Sequence, residues 1–206
     1  MGLTEWLRPG ELPRIAVHAR LREVGSRVGG LVRVPHPAPP DAPATVDIKQ
    51  DRCPLPAPWT AAGEFAGFDW VEDDAVGWWA EAADPRQAAV RMADFLTVGR
   101  GQAGVFGSDR RLAVVLPKKL LSTGAPRKGL LGKVGGLLEN TNWELADEVV
   151  TLWETDVRAL RGVAVVLAGR GFPFARLVRF DFADGSVLLG RTLVGDILPR
   201  RPAGSV

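Results

Sequence analysis

Residues 104–117, GVFGSDRRLAVVLP, decide the fold of this chain. Two apolar runs flank a polar knot, Gly107-Ser108-Asp109-Arg110-Arg111. Ser108 or Asp109 can hydrogen-bond its own backbone there and reverse the chain. The stretch therefore predicts a β-hairpin whose knot is the turn. The same grammar continues beyond it. From Val98 the apolar period is two, and QAGVF, RLAVVL, EVVTLWE, GVAVVLAG, ARLVRFDF and GSVLLGR read as six strands. Asp184-Gly185 separates two alternating runs as a tight hairpin does. GRGFPF, residues 169–174, is a further turn, closed by Pro173. Several short strands with regular turn signals predict a small antiparallel barrel or sandwich.

Upstream the patterns are mixed. DPRQAAVRMADFL is the clearest helix, with Asp84 as N-cap and Pro85 at the first helical position. Phe65, Phe68, Trp70, Val71, Val76, Trp78 and Trp79 precede it. Aromatic residues this dense predict core, since each ring buries roughly 150–250 Å². Residues 11–34 fit two periods. Val17, Leu21, Val24, Val28 and Leu31 share one helical face, while Ile15, Val17, Ala19 and Leu21 alternate as in a strand. The expectation adopted is a helix from Pro13 to about Arg27. Pro35–Pro58 holds half of the sixteen prolines and predicts extended loop around one edge strand, TVDIKQ.

The fold class that follows is α+β: a helical and Pro-rich N-terminal region over 1–97, an antiparallel β domain over 98–198, and a disordered tail over 199–206. Within the second region, VFGSDRRLAVV, WELADEVVTLWETDVRAL, GVAVVLAG and RLVRFDFADGSVL follow one another as in bacterial PH-like domains, of the pleckstrin-homology and GRAM kind, which this half of the chain resembles. The resemblance implies a partly open barrel that binds peptides, lipids or partner proteins and does not catalyse. The long insertion LLSTGAPRKGLLGKVGGLLENTN and the lack of an amphipathic helix after Leu189 depart from that family.

Composition narrows the function classes. The net charge is +2, so the whole molecule exerts little pull on nucleic acid. The charge is segregated: arginines crowd the front, and Glu64–Asp84 carries seven carboxylates and no Lys or Arg. One cysteine, Cys53, precludes an intramolecular disulfide and sits in a proline loop without a readable partner. His18 and His36 lie in different segments and read as solvent or loop histidines, so no metal and no cofactor is expected. GAPRKGLLGK places Leu130 where a phosphate loop needs lysine, and VGRGQAG follows a helix instead of a strand. Asp73-Asp74, Asp147-Glu148 and Asp181/Asp184 are adjacent or near-adjacent acids that diverge from one another on helix or strand.

The expected function is a non-catalytic binding or regulatory protein for a protein partner or an anionic membrane surface. Its expected site is the basic insertion: Lys118, Lys119, Arg127, Lys128 and Lys133 meet phosphate head groups, while Leu120, Leu121, Leu130 and Leu131 enter the interface. The bland alternative is a loop whose leucines cap the barrel. A second reading has Arg14, Arg20, Arg22, Arg27 and Arg33 contacting nucleic-acid phosphates. A third is an enzyme of another kind. No signal peptide is expected from MGLTEWLRPGELPR. The expected compartment is the cytoplasm, with a peripheral place at the inner membrane face for the insertion.

Overall fold

A computed structural model describes residues 6–18, 22–45, 54–99, 101–121 and 148–191. All six strands expected in the second half are present: β5 (Gly104–Ser108), β6 (Arg111–Pro117), β7 (Val149–Asp156), β8 (Leu160–Ala168), β9 (Ala175–Phe182) and β10 (Val187–Arg191). The polar knot turns β5 into β6 as its residues dictate. Ser108 Oγ accepts from the amides of Arg110 and Arg111, both at 3.1 Å. Asp109 instead reaches out and accepts from the Leu12 amide at 2.9 Å.

The expected helix over Pro13–Arg27 is not formed. That segment makes β1 (Pro13–His18) and β2 (Glu23–Val28), followed by β3 (Leu31–Arg33). Two glycine facts explain the outcome. Gly29 and Gly30 both take positive φ, 56° and 86°, as a two-residue hairpin loop requires. Gly25 must be a strand residue because Trp79 lies on it: a Cβ there would sit 2.4 Å from the indole. Trp79 belongs to β4 (Val76–Ala82), directly opposite Gly25 in register. Trp78, pointing to the other face, lies over Gly190 of β10 in the same way, at 2.3 Å from a built Cβ. Two glycines in neighbouring strands thus give the tryptophans of one central strand their seats.

The strands form a four-stranded sheet, β1-β5-β6-β7, and a six-stranded sheet, β3-β2-β4-β10-β9-β8. The sheets are not closed into a barrel. β2 and β4 pair parallel, so the larger sheet is mixed where an antiparallel one was expected. β7 runs into β8 through a 3₁₀ turn, Val157–Ala159, that links the two sheets. The Val157 amide donates to Arg110 O at 2.9 Å, and Ala159 O accepts from the Ala183 amide at 2.8 Å.

Two α-helices lie wholly within the described residues: α1 (Pro58–Ala62) and α2 (Ala88–Val98). Helix α2 buries Ala89, Val90, Met92, Ala93, Phe95, Leu96 and Val98, and packs on β2, β4 and β10 while reaching β6 and β7. It starts three residues later than Asp84 and Pro85 suggest. The cap comes from the β9–β10 turn. Asp184 Oδ2 accepts from the Ala88 amide at 2.7 Å and Ser186 Oγ from the Ala89 amide at 3.1 Å. Asp84 is occupied by Arg86, to whose backbone and guanidinium it bonds.

Three apolar clusters follow from the alternation. The largest lies between the sheets and contains Trp78, Leu112, Val114, Phe180, Phe182 and Leu188 with the inner face of α2. The second covers the outer face of the larger sheet, where Trp70 stacks on Trp79 at 5.5 Å and Phe65 meets Trp79 edge-on at 5.2 Å. The aromatic segment is therefore core, as its density predicts. Each fully buried indole removes on the order of 200 Å² from water, about 5 kcal/mol before entropy is counted. The third cluster sets Trp6 on Phe106, Ala113 and Val115 outside the smaller sheet. Asp73 joins α1 to β4, accepting from the amides of Ala57 and Ala75 at 2.8 and 2.9 Å.

Candidate functional site: an aromatic turn beside a bare sheet edge

The turn between β8 and β9 breaks the usual rule that turns are polar. Phe172 is 92% exposed and Phe174 is 48% exposed. Their rings meet edge-to-face at 6.2 Å and 81°. Two large apolar side chains in water cost free energy, so they need a reason outside the monomer's own packing. The turn is also held in place. Glu72, from the 3₁₀ turn Asp69–Glu72, accepts from the backbone amides of Arg170 and Gly171, the latter at 3.2 Å. Asp69 pairs with the Arg170 guanidinium. Gly169 packs so closely on Val71 and Glu72 that a Cβ would clash with both. Two carboxylates from the second cluster's covering layer thus fix a loop that displays two phenyl rings. Arg170 and Arg176 are exposed beside them.

Strand β8 leads into this turn and is itself bare. Arg161 to Val165 are exposed without interruption, so both faces of the strand meet solvent. Val163 and Val165 lie opposite Phe180 and Val178 of β9, on the face that elsewhere forms the main core. The smaller sheet does not extend over them. GVAVVLAG reads as a strand from its composition, but an uncharged run of this kind ordinarily belongs in a sheet interior. The signal that marks the place is a missing one, the absence of a polar alternate.

A polar chain elsewhere has the makings of chemistry. His36 lies between Ser26 Oγ, 2.7 Å from Nδ1, and Asp94 Oδ1, 2.8 Å from Nε2. Arg91 holds the other Asp94 oxygen at 2.8 Å. His36 sits in a loop, one of the two places expected of it, but it is buried, filling a polar slot under α2. Ser26 has no exposed surface, so its hydroxyl lies beyond the reach of a substrate. The chain pins the Pro-rich loop to β2 and α2. A recess of about 480 Å³ opens beside it, lined by Arg33, His36, Arg86, Arg91 and Asp94. A second recess, of about 370 Å³, lies by Glu11, Arg110, Arg111, Glu154 and Asp156, where each carboxylate faces an arginine. Among the described residues no group of three or more His, Cys, Asp or Glu side chains is placed to hold a metal ion.

Of the residues expected to form the basic site, the described ones are Lys118, Lys119, Leu120 and Leu121. Lys118 and Lys119 are exposed on a 3₁₀ turn, Lys118–Leu120, and Lys118 Nζ pairs with Glu148 at 2.9 Å. Leu120 is buried in the main core instead of facing an interface, because the turn folds it back under β6. Leu121 is half-buried and bridges to Thr45. Arg127, Lys128, Leu130, Leu131 and Lys133 lie outside the described residues, as do Cys53, Arg20, the rest of TVDIKQ and the tail over 199–206. Of the arginines read as a nucleic-acid surface, Arg14 sits on the smaller sheet and Arg22, Arg27 and Arg33 on or beside the larger. Arg27 is already committed to Glu81 and the Phe65 ring.

No family model, curated protein or solved structure matches the chain. No helix among the described residues is long and apolar enough to cross a membrane.

Proposed function

We propose that this protein is a non-catalytic protein-binding module that inserts the Phe172-Pro173-Phe174 turn into an apolar pocket of a partner. The observation that carries the reading is the combination of a phenyl ring 92% in water with a loop backbone clamped by Glu72. A clamped loop loses little entropy on docking, and buried aromatic anchors supply most of the energy of protein interfaces. Arg176 beside the rings favours a pocket edged by carboxylates.

An anionic membrane is the weaker reading of the same surface. Each basic residue near an anionic leaflet contributes about 1 kcal/mol. Arg170 is neutralised by Asp69, which leaves Arg176 as the exposed cation beside the turn without a carboxylate on it. The burial of Leu120 also removes one of the leucines that membrane entry at Lys118–Leu121 would use.

The test is a photo-crosslinking amino acid placed at position 172 or 174, with position 86 as control, in the cells that make the protein. The expected result is one discrete protein adduct from 172 and 174, absent from 86, and lost in the 174-labelled chain on Phe172→Ser. Adducts of equal yield from all three positions, or none from any, overturn the reading. So does Phe172-dependent recovery on anionic vesicles without a protein adduct, which assigns the turn to the membrane.

A further inference from the structure

We infer that the outer edge of β8, unpaired among the described residues, is a self-association surface, pairing antiparallel with β8 of a second copy of this chain. The four outer strands of the two sheets differ in one respect. Exposed strand edges invite pairing, and proteins block them with shortness, proline, charge or bulges. β3 has three residues. β1 opens with Pro13 and exposed Arg14. β7 carries Glu154 and Asp156. β8 is nine residues long and has no proline, and from Gly162 to Ala168 it has no charge. Its irregularity lies at Leu160–Gly162, outside that stretch. Val163, Val165 and Leu167 are 41%, 47% and 63% exposed along it.

A second copy fits this edge better than an unrelated strand does. Antiparallel pairing of identical strands is a two-fold operation, so it closes at two chains and leaves no new edge to propagate. Centred on Val165, the register sets Val163 against Leu167 of the other copy and Ala164 against Val166. Arg161, the one charged residue of β8, then falls opposite Gly169, so no like charges face each other. The area sets the strength. A nine-residue edge is about 30 Å long and a side-chain layer about 10 Å deep, on the order of 300 Å² per copy. Standard stable interfaces bury about 800 Å² per partner, so the pair is a weak, reversible dimer. The inference is independent of the aromatic turn: the turns lie at opposite ends of the paired strands, and each dimer displays two.

Sedimentation velocity of the full chain from 1 to 300 µM tests this. The wild type is expected to shift from monomer to dimer across that range. Val165→Lys should move the midpoint at least tenfold upward, while Leu31→Lys, on the β3 edge of the same sheet, leaves it in place. In a Cys53→Ser background, Val165→Cys should form an intermolecular disulfide with itself. Val163→Cys should do so only when mixed with Leu167→Cys. A wild type monomeric at 300 µM, or a dimer that Val165→Lys leaves intact, overturns the inference. Crosslinking from position 172 that persists in Val165→Lys keeps the two proposals separable.

Discussion

Replacing Arg111 with alanine should cost more than any other single change in the smaller sheet. The guanidinium is almost wholly enclosed, and so is its partner: the side chains of Arg111 and Glu11 are 8% and 2% exposed. Arg111 Nε donates to both Glu11 oxygens, at 3.0 and 3.2 Å. Nη1 donates to Glu154 at 2.8 Å and Nη2 to the Trp6 carbonyl at 2.8 Å. The cation also lies 3.8 Å from the centre of the Trp6 ring. Glu154 is more than a third exposed and keeps Arg8, so its loss matters little. Glu11, far more enclosed, is left with the Arg8 amide, at 3.1 Å, as its donor in the variant. Leaving one member of a buried pair uncompensated costs about 3–5 kcal/mol, which for a chain of this length lowers Tm by roughly 6–20 °C.

The pH dependence makes the test sharper. Burial pushes the Glu11 carboxyl up, but the hydrogen bonds from Arg111 and Arg8 and the charges of both arginines outweigh it and leave it below its ordinary value of 4.5. A folded-state value below the unfolded one means Glu11 stabilises the wild type fully above the unfolded pKa. That contribution is lost as pH falls through the folded value. In Arg111→Ala only the Arg8 amide and charge still oppose burial, so the Glu11 carboxyl moves up and acidification costs the variant less than the wild type. Urea unfolding at pH 7 and pH 4 should therefore show a gap between wild type and Arg111→Ala that narrows at the lower pH. The double variant Glu11→Leu/Arg111→Met should recover more than half of the loss. A cost under about 1 kcal/mol at pH 7, or a gap that widens on acidification, refutes the reasoning.

Two further substitutions probe how the halves of the chain are joined. Gly190→Ala builds a Cβ 2.3 Å from the fully buried Trp78 indole, so the ring or the strand must shift. Overpacking of this kind costs typically 1–3 kcal/mol, with a changed near-ultraviolet tryptophan dichroism; an unaltered spectrum and melting point would count against the seat described for Trp78. Asp184→Ala removes the cap of α2 and should cost about 1 kcal/mol, with faster exchange of the Ala88 amide and a smaller effect for Asp184→Asn. Burial raises the Asp184 carboxyl, but the donors Ala88 and Ser186 hold it below its ordinary value. The cap therefore stabilises above the unfolded pKa and fades as pH falls through the folded one. Equal exchange at Ala88 in wild type and Asp184→Ala would dismiss it.

Some of this architecture is legible without coordinates. Asp184-Gly185 and the Ser108 knot turn the chain where their side chains predict, and the six alternating runs between such turns are strands. Residues 13–33 are misread because Val17, Val24 and Val28 satisfy both periods. What breaks the tie is Trp79 in a distant strand, which needs Gly25 beneath it. The start of α2 is misplaced for a related reason. Asp84 has the right chemistry for a cap, but Arg86 occupies it, and the oxygen that does the capping comes from a residue 96 positions away. The candidate site was seen as a turn and a strand and its exposure was not, because exposure belongs to neighbours. GVAVVLAG looks the same whether a sheet continues past it or stops. Leu120 is the converse case: it reads as available from its neighbours in sequence, and the fold buries it in the main core.

Period and turn chemistry are carried by adjacent residues, so where the second half alternates, where it reverses and which aromatic residues are core can be read from residue order alone. Which strand lies beside which, the parallel contact of β2 with β4, the cap delivered to α2 from the β9–β10 turn and the bare edge of β8 depend on residues far apart in the chain. They come from packing, because burial and strand partners are properties of the folded whole and leave no mark on the local pattern.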